Sequence, residues 1–330
     1  MIRRLLIFMI LAIAGVAAAA AFLVYQPYKG FENPVLLDLP RGMPTRSFAD
    51  RLVKAGVIRD ARLFLIARAL HPGAVLQAGE YEFHDAESPE AVFERIARGD
   101  VHYYELTIRE GSDIFDIADA VGKLGLVSGS EFLKAARNPA PVKDLAPKAP
   151  SLEGFLFPST YRVTRSVTVA QLIKMMTDQF RARWKAALGD AHVNVLETVT
   201  LASLIEKESG VPRERPIVAS VYMNRLKKDV KLECDPTTIY AAKIEGRWKG
   251  VIHKSDLASE NPYNTYQRVG LPPGPIASAG QASLEAALHP ADTAFLFFVA
   301  KGDGSGSHNF SVDYKSHQNF VAAYRRNRGK

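Results

Sequence analysis

The first twenty-five residues constrain this chain most. From Leu5 to Tyr25 there is no charged side chain and hardly a polar one. At 1.5 Å per residue, a helix over that run spans roughly 31 Å, enough to cross the hydrocarbon core of a bilayer. Arg3 and Arg4 precede it, and no comparable apolar run follows. The positive-inside bias then keeps residues 1–4 cytoplasmic and sends the rest of the chain outside. The other reading is a cleaved signal peptide, with Ala17 to Ala21 holding the cleavage site. The apolar run outlasts those alanines through Phe22-Leu23-Val24-Tyr25, which favours an uncleaved anchor at 5–25. Either way the bulk of the protein faces away from the cytoplasm, which argues against transcription factors and cytosolic nucleotide enzymes.

The remaining chain is long enough for more than one core: 330 residues, 47% hydrophobic and 23% charged. Its single cysteine, Cys234, excludes a disulfide framework and a multi-thiolate zinc site. A net charge of +7 suits a polyanionic partner without choosing one.

Residues 26–34, with two prolines and a glycine, have the composition of a linker. An internal repeat comes next. A shift of 69 residues lays Leu37–Arg68 on Leu106–Arg137 with eight identities, including Gly42/Gly111, Asp50/Asp119, Lys54/Lys123 and Gly56/Gly125. Each copy predicts a short strand (35–39; 103–108), a glycine turn and an amphipathic helix (47–55; 114–124) stopped by glycine. A second helix is expected to start near Asp60 and near Ser130. The stretch Ile108-Arg-Glu-Gly-Ser-Asp-Ile-Phe-Asp-Ile-Ala resembles a LysM module, which implies N-acetylglucosamine binding; a plain αβ spacer is the alternative. The proline-rich stretch 138–150 is expected to close this region, 35–150, as a hinge. Beyond it, 151–330 carries helical periodicity over 168–188 and 194–228. An apolar strand (294–300), a glycine turn, a partner strand (308–312) and a final helix from Tyr314 complete it. The expected class is α+β: an N-terminal transmembrane helix, duplicated small LysM-like αβ modules, then a helix-rich α+β catalytic domain.

The most informative segment is Asn194-Val-Leu-Glu-Thr-Val-Thr-Leu-Ala-Ser-Leu-Ile-Glu-Lys-Glu-Ser-Gly. Asn194 is a good N-cap, Glu197 stands at the third helical position, and Gly210 with Pro212 stops the helix. At about 100° per residue, Val195, Val199, Ala202 and Glu206 share one stripe. Glu208 points to another side, so the two glutamates form no dyad. Glu206 is then either a carboxylate paired with a core arginine, a carboxylate exposed where the helix emerges, or a general acid whose pKa burial raises.

Several motifs in this order resemble the membrane-bound endolytic murein transglycosylases, the YceG-like family. They are Leu152-Glu-Gly-Phe-Leu-Phe-Pro-Ser-Thr-Tyr, Ala202-Ser-Leu-Ile-Glu-Lys-Glu, Ala219-Ser-Val-Tyr-Met-Asn-Arg-Leu and Asp235-Pro-Thr-Thr-Ile-Tyr. Pro262-Tyr-Asn-Thr-Tyr with Gly270-Leu-Pro-Pro-Gly-Pro-Ile, and Ala287-Leu-His-Pro-Ala with His308-Asn-Phe, complete the series. One departure is Cys234, where the resemblance implies a polar residue. The resemblance implies that Glu206 is the catalytic residue of a lytic transglycosylase. Such an enzyme cleaves the MurNAc-β-1,4-GlcNAc bond within glycan strands and leaves 1,6-anhydro-MurNAc ends. One glutamate serves as acid and then as base toward the sugar's own 6-hydroxyl. Tyr263, Asn264 and Tyr266 offer aromatic faces and amides suited to sugars, and Asp235 is placed either to line the cleft or to cap a helix. Glu153 and Tyr161 lie in a shared motif but are left to folding. No metal or other cofactor is expected: H-E-x-x-H is absent, and so are serine-acyl-transfer and phosphate-loop patterns. The expected partners are peptidoglycan strands, peptidoglycan synthases (penicillin-binding proteins) and a membrane, but no nucleic acid. The expected place is the inner membrane, with the catalytic domain outside it. A muramidase and a non-catalytic glycan-binding scaffold are the alternatives.

Overall fold

The computed structural model describes residues 2–188 and 193–328. Met1 and the last two residues of the basic tail, Gly329 and Lys330, lie outside them. The chain forms two compact units, residues 1–104 with 162–166 and residues 105–161 with 167–330. The division falls at 104/105, so the second copy of the repeat lies in the same unit as the Glu206 helix.

The first unit begins with α1 (Ile2–Tyr25), whose mean hydropathy reaches 2.7 and whose side chains are almost all exposed. Its last turn differs: Val24 is fully buried among Phe64, Phe93 and their neighbours. Residues 26–34 follow α1 and are bonded to the first unit at two points. Tyr28 exchanges two backbone hydrogen bonds with Glu87, and the Gly30 N–H donates to the Gly56 carbonyl at 2.8 Å. Two prolines and a glycine make this stretch irregular, but its backbone groups still find partners. Then come β1 (Val35–Leu39), α2 (Thr45–Lys54), α3 (Ala61–Leu70), β2 (Gly79–Phe83) and α4 (Pro89–Arg98). β1 and β2 pair antiparallel, Val35 against Phe83 and Leu39 against Gly79. Asp60 caps α3 as expected. α4 starts on Ser88 with Pro89 in its first turn and ends on left-handed Gly99, where only glycine sits without strain.

The repeat continues with β3 (Tyr104–Thr107), α5 (Ile114–Leu124), α6 (Gly129–Ala136) and β4 (Thr160–Val163), β3 pairing with β4. The N-cap of α6 is Ser128, not Ser130, since its hydroxyl accepts from the Glu131 N–H. The strand–helix–helix–strand order of the first copy thus recurs. Residues 138–150 fold into a 3-10 turn and bends with Val142, Ala146 and Ala149 buried. Helices α7 (Val169–Leu188), α8 (Val195–Glu208), α9 (Arg215–Lys227), α10 (Asp235–Ile244), α11 (Lys254–Leu257) and α12 (Gln281–Leu288) come next. A hairpin of β5 (Phe297–Ala300) and β6 (His308–Ser311), and α13 (Tyr314–Arg328), close the chain.

α8 lies at the centre of the second unit, packed by α9, α10 and α12. Val199 through Ile205 are all buried, so the helix is enclosed on every side and not only along one stripe. Arg225 of α9 knits the periphery: its guanidinium donates to the Leu296, Lys231 and Leu232 carbonyls at 2.6, 2.8 and 3.1 Å and lies over the Phe297 ring. Lysine keeps the charge but not the fork. Arg225→Lys is therefore expected to cost about 3 kcal/mol, read as a lower denaturant midpoint at unchanged slope.

Candidate active site

Glu206 stands in the last turn of α8 with its side chain only 6% exposed. The carboxylate is paired with a buried arginine, the first of the readings of its stripe. Arg215 Nη2 lies 3.1 Å from Glu206 Oε1, and its Nε reaches back to the Ser209 carbonyl at 3.4 Å. Oε2 accepts from the Gly280 N–H at 2.9 Å. Arg215 opens α9 because the chain leaves α8 at Ser209 and turns through the 3-10 segment Pro212–Glu214. That short connection folds it back over the end of the helix it has just left.

A second carboxylate enters from the repeat. Glu110 Oε2 lies 3.9 Å from the same Arg215 nitrogen, on a side chain 53% exposed. The turn that carries it is fixed from three directions. The Gly111 N–H donates to the Ser278 carbonyl at 2.9 Å, the Ser278 N–H returns a bond to Ser112, and Lys207 Nζ holds the Gly111 carbonyl at 2.9 Å. Gly111 has φ +76°, and a β-carbon there would touch Glu206 Cγ at 3.9 Å. Glycine is thus required by the backbone and leaves room beside the glutamate. Neither Glu110 nor Arg215 belongs to the site expected from sequence.

The second glutamate of the motif does other work. Burial pushes the Glu208 carboxyl up, against the pull of a hydrogen bond from the Cys234 thiol at 3.3 Å. Burial pushes that thiol up as well. Cys234 therefore joins the end of α8 to the start of α10 and is enclosed there.

Asp235 is exposed and is the first residue of α10, not its cap; that place belongs to Cys234, whose side chain makes no capping bond. The Asp235 carboxylate instead accepts from the Tyr266 hydroxyl at 2.5 Å. Tyr263 packs edge-on against Tyr240 with ring centroids 5.0 Å apart. Asn264 is fully buried, and its amide donates to the Asp256, Leu257 and Ser259 carbonyls while its oxygen accepts from the Tyr266 N–H. It shapes the loop from within. The structure thus gathers Asp235, Tyr263, Asn264 and Tyr266 around one loop, with Tyr266 and Asp235 at the surface end.

Two other features stand apart. A groove of about 900 Å³ runs past Asn194, Leu201, Leu226 and Pro272 at the opposite end of α8 and is not lined by Glu206. His71, Glu90 and Glu94, in the first unit, bring three ligand-type atoms within 4.8 Å of one another. His71 is already bonded to Glu90 at 2.5 Å and Glu94 is paired with Arg98, the arrangement of an ion-pair cluster.

The YceG-like family model matches residues 37–323. The chain belongs to the YceG-like family. It is 32% identical over 313 residues to the endolytic murein transglycosylase of Bacillus subtilis (strain 168), covering 89% of this chain and 86% of that protein. It is 27% identical over 299 residues to the protein of the same name from Streptococcus pneumoniae serotype 2, where it spans 54% of the longer relative. The crystal structure of a putative YceG-like protein from Listeria monocytogenes superposes with a TM-score of 0.58 at 30% identity, over 88% of this chain and 99% of that one. The fold of this YceG-like chain is mixed α+β and helix-rich.

Proposed function

We propose that this YceG-like protein is a membrane-anchored endolytic peptidoglycan lytic transglycosylase. In this reading Glu206 is the general acid and then the base in cleaving the MurNAc-β-1,4-GlcNAc bond within glycan strands. The observation that carries it is the placement of Glu206. Its carboxylate is nearly enclosed, is held at Oε2 by the Gly280 N–H, and faces Arg215 at Oε1. A fixed carboxyl of this kind can protonate a leaving oxygen. The names of the relatives support the substrate class, murein.

The chemistry needs few further groups. Glu206 donates its proton to the glycosidic oxygen as the C1–O bond breaks. The 6-hydroxyl of the same ring then attacks C1 and returns its proton to Glu206, so no water is consumed. Buried Arg215 stabilises the carboxylate formed between the two steps. The exposed Asp235–Tyr266 pair and the Tyr263 ring are the surfaces proposed to meet sugar, with Asn264 holding their loop in shape. Helix α1 is proposed to sit in the inner membrane with Arg3 and Arg4 on the cytoplasmic side. A site so tethered meets strands near their synthesis, which fits a role in ending chain elongation beside peptidoglycan synthases. The repeat copies are proposed, from their LysM resemblance, to contact glycan.

Glu110 favours a second reading. A carboxylate near the acid can activate water, which would make the protein a muramidase. Mass spectrometry of the products from purified glycan strands decides between them. Transglycosylation leaves 1,6-anhydro ends, whereas hydrolysis leaves reducing ends heavier by one water. The expected result is anhydro ends; reducing ends would reject the proposal.

A further inference from the structure

Glu206 is held as an ionised carboxylate is held, with a guanidinium on one oxygen and an N–H on the other. A general acid must carry a proton. The Gly280 N–H needs an acceptor, so in the acid form Oε2 remains the carbonyl oxygen and the proton sits on Oε1. There its hydroxyl oxygen can still accept from Arg215 Nη2, but the negative charge that paired the guanidinium is gone. Arg215 is itself only 10% exposed, and a buried guanidinium stripped of its carboxylate is strongly disfavoured. The acid form of this site therefore needs another counter-ion for Arg215.

Glu110 stands where that counter-ion is needed. Its Oε2 is 3.9 Å from the nitrogen that holds Glu206, and its exposed side chain has room to close the remaining distance. The backbone beneath it is pinned to Ser278 and Lys207, so only the side chain has to move. Its other oxygen lies over Gly280, where a β-carbon would collide with it. Glycine at 280 thus lets the Glu110 carboxylate rest against the same residue whose N–H orients Glu206.

We propose that Glu110 is a positioning residue that takes over the Arg215 guanidinium whenever Glu206 is protonated, so that Arg215 alternates between two carboxylates in each turnover. This rests on the transglycosylase reading above. With Arg215 on Glu110, the Glu206 Oε1 proton passes to the glycosidic oxygen, and that oxygen keeps the electron pair of the broken C1–O bond. Arg215 then swings to the new Glu206 carboxylate. The 6-hydroxyl oxygen bonds to C1, its proton returns to Glu206 Oε1, and Arg215 goes back to Glu110. The proton given up in the first step is restored in the second, and no co-reactant is needed.

The test uses the full-length protein in detergent with purified glycan strands, scoring anhydro ends for kcat and KM. Glu110→Gln removes the charge but little of the shape. It is expected to lower kcat roughly tenfold, with KM within about twofold, because the effect runs through Glu206 and not through binding. Glu110→Asp restores the charge and is expected to recover most of that loss. In an Arg215→Gln background the Glu110→Gln change is expected to add no further loss, since no guanidinium remains to be shared. Glu110 is exposed, so these variants are expected to melt with the wild type, and the Gln/Asp contrast stands even if Arg215→Gln fails to fold. Wild-type kcat in Glu110→Gln, a loss confined to KM, or losses that multiply across the two positions would each overturn the proposal. The parent reading is scored separately: wild-type protein that yields no anhydro ends, or Glu206→Gln that still yields them, rejects that reading and this inference with it.

Discussion

Glu206→Gln is expected to lower the rate of strand cleavage at least about a hundredfold, the usual size of a lost general acid. Glutamine keeps the volume of the side chain, and its amide oxygen still accepts from the Gly280 N–H. What disappears is the transferable proton. Arg215 then faces an amide, but Glu110 remains within reach of it, so the fold is expected to tolerate the change. Thermal melting of the variant checks this, and release of soluble glycan fragments checks the rate. Cleavage near the wild-type rate would remove Glu206 from the mechanism.

A large effect on stability is expected at Glu153, which is 1% exposed. Its carboxyl is pushed up to about 8, chiefly by burial and then by the charge of Asp113; the Ile114 N–H, donating to Oε2 at 2.9 Å, opposes this. The folded protein keeps the proton to about pH 8, whereas the unfolded chain releases it near the ordinary value of 4.5. Glu153 thus contributes stability that is complete below about pH 4.5, falls as the pH rises and is gone above about pH 8, a swing of about 5 kcal/mol. Glu153→Gln keeps an acceptor for the Ile114 N–H and cannot ionise. The difference in melting temperature between variant and wild type is expected to grow in the variant's favour from pH 4.5 to pH 8. A difference that stays constant over that range would show that the carboxyl ionises freely in the folded state.

Where one local pattern decides the outcome, the sequence is legible. Helix α5 occupies residues 114–124 as read, because Asp113 and Asp116 form a capping box at one end and Gly125 takes a left-handed conformation at the other. Asn194 caps α8, and its side chain bonds Glu197 in return. The hairpin after Lys301 turns through three glycines at positive φ. β2 and α4 are not among the expected elements, although Glu80-Tyr81-Glu82-Phe83 alternates and Ser88-Pro89 is a helix start. The repeat identities cover 37–68 and stop short of both elements, so the duplication gives them no support.

The candidate site is legible only in part, for a physical reason. Glu206 announces itself as a charge on an apolar stripe. Its partners carry no such signal: Glu110 is one acidic residue in a polar turn, and Arg215 is one of two arginines between Pro212 and Pro216. They matter because tertiary pairing brings them to one nitrogen, which no periodicity encodes. Asn264 shows the converse. Its residue type suits a sugar amide, yet backbone carbonyls of α11 and of Ser259 just beyond it already occupy it.

The end of α1 bears on how force passes between lipid and protein. A slack tether transmits only pull and leaves its cargo free to tumble. Here Val24 is sunk in the first unit's core, and Tyr28 and Gly30 are bonded to that unit's backbone just beyond the helix end. Such a joint resists bending as well as tension. For a chain anchored by α1, the attitude of the first unit above the bilayer is then inherited from the tilt and rotation of the helix.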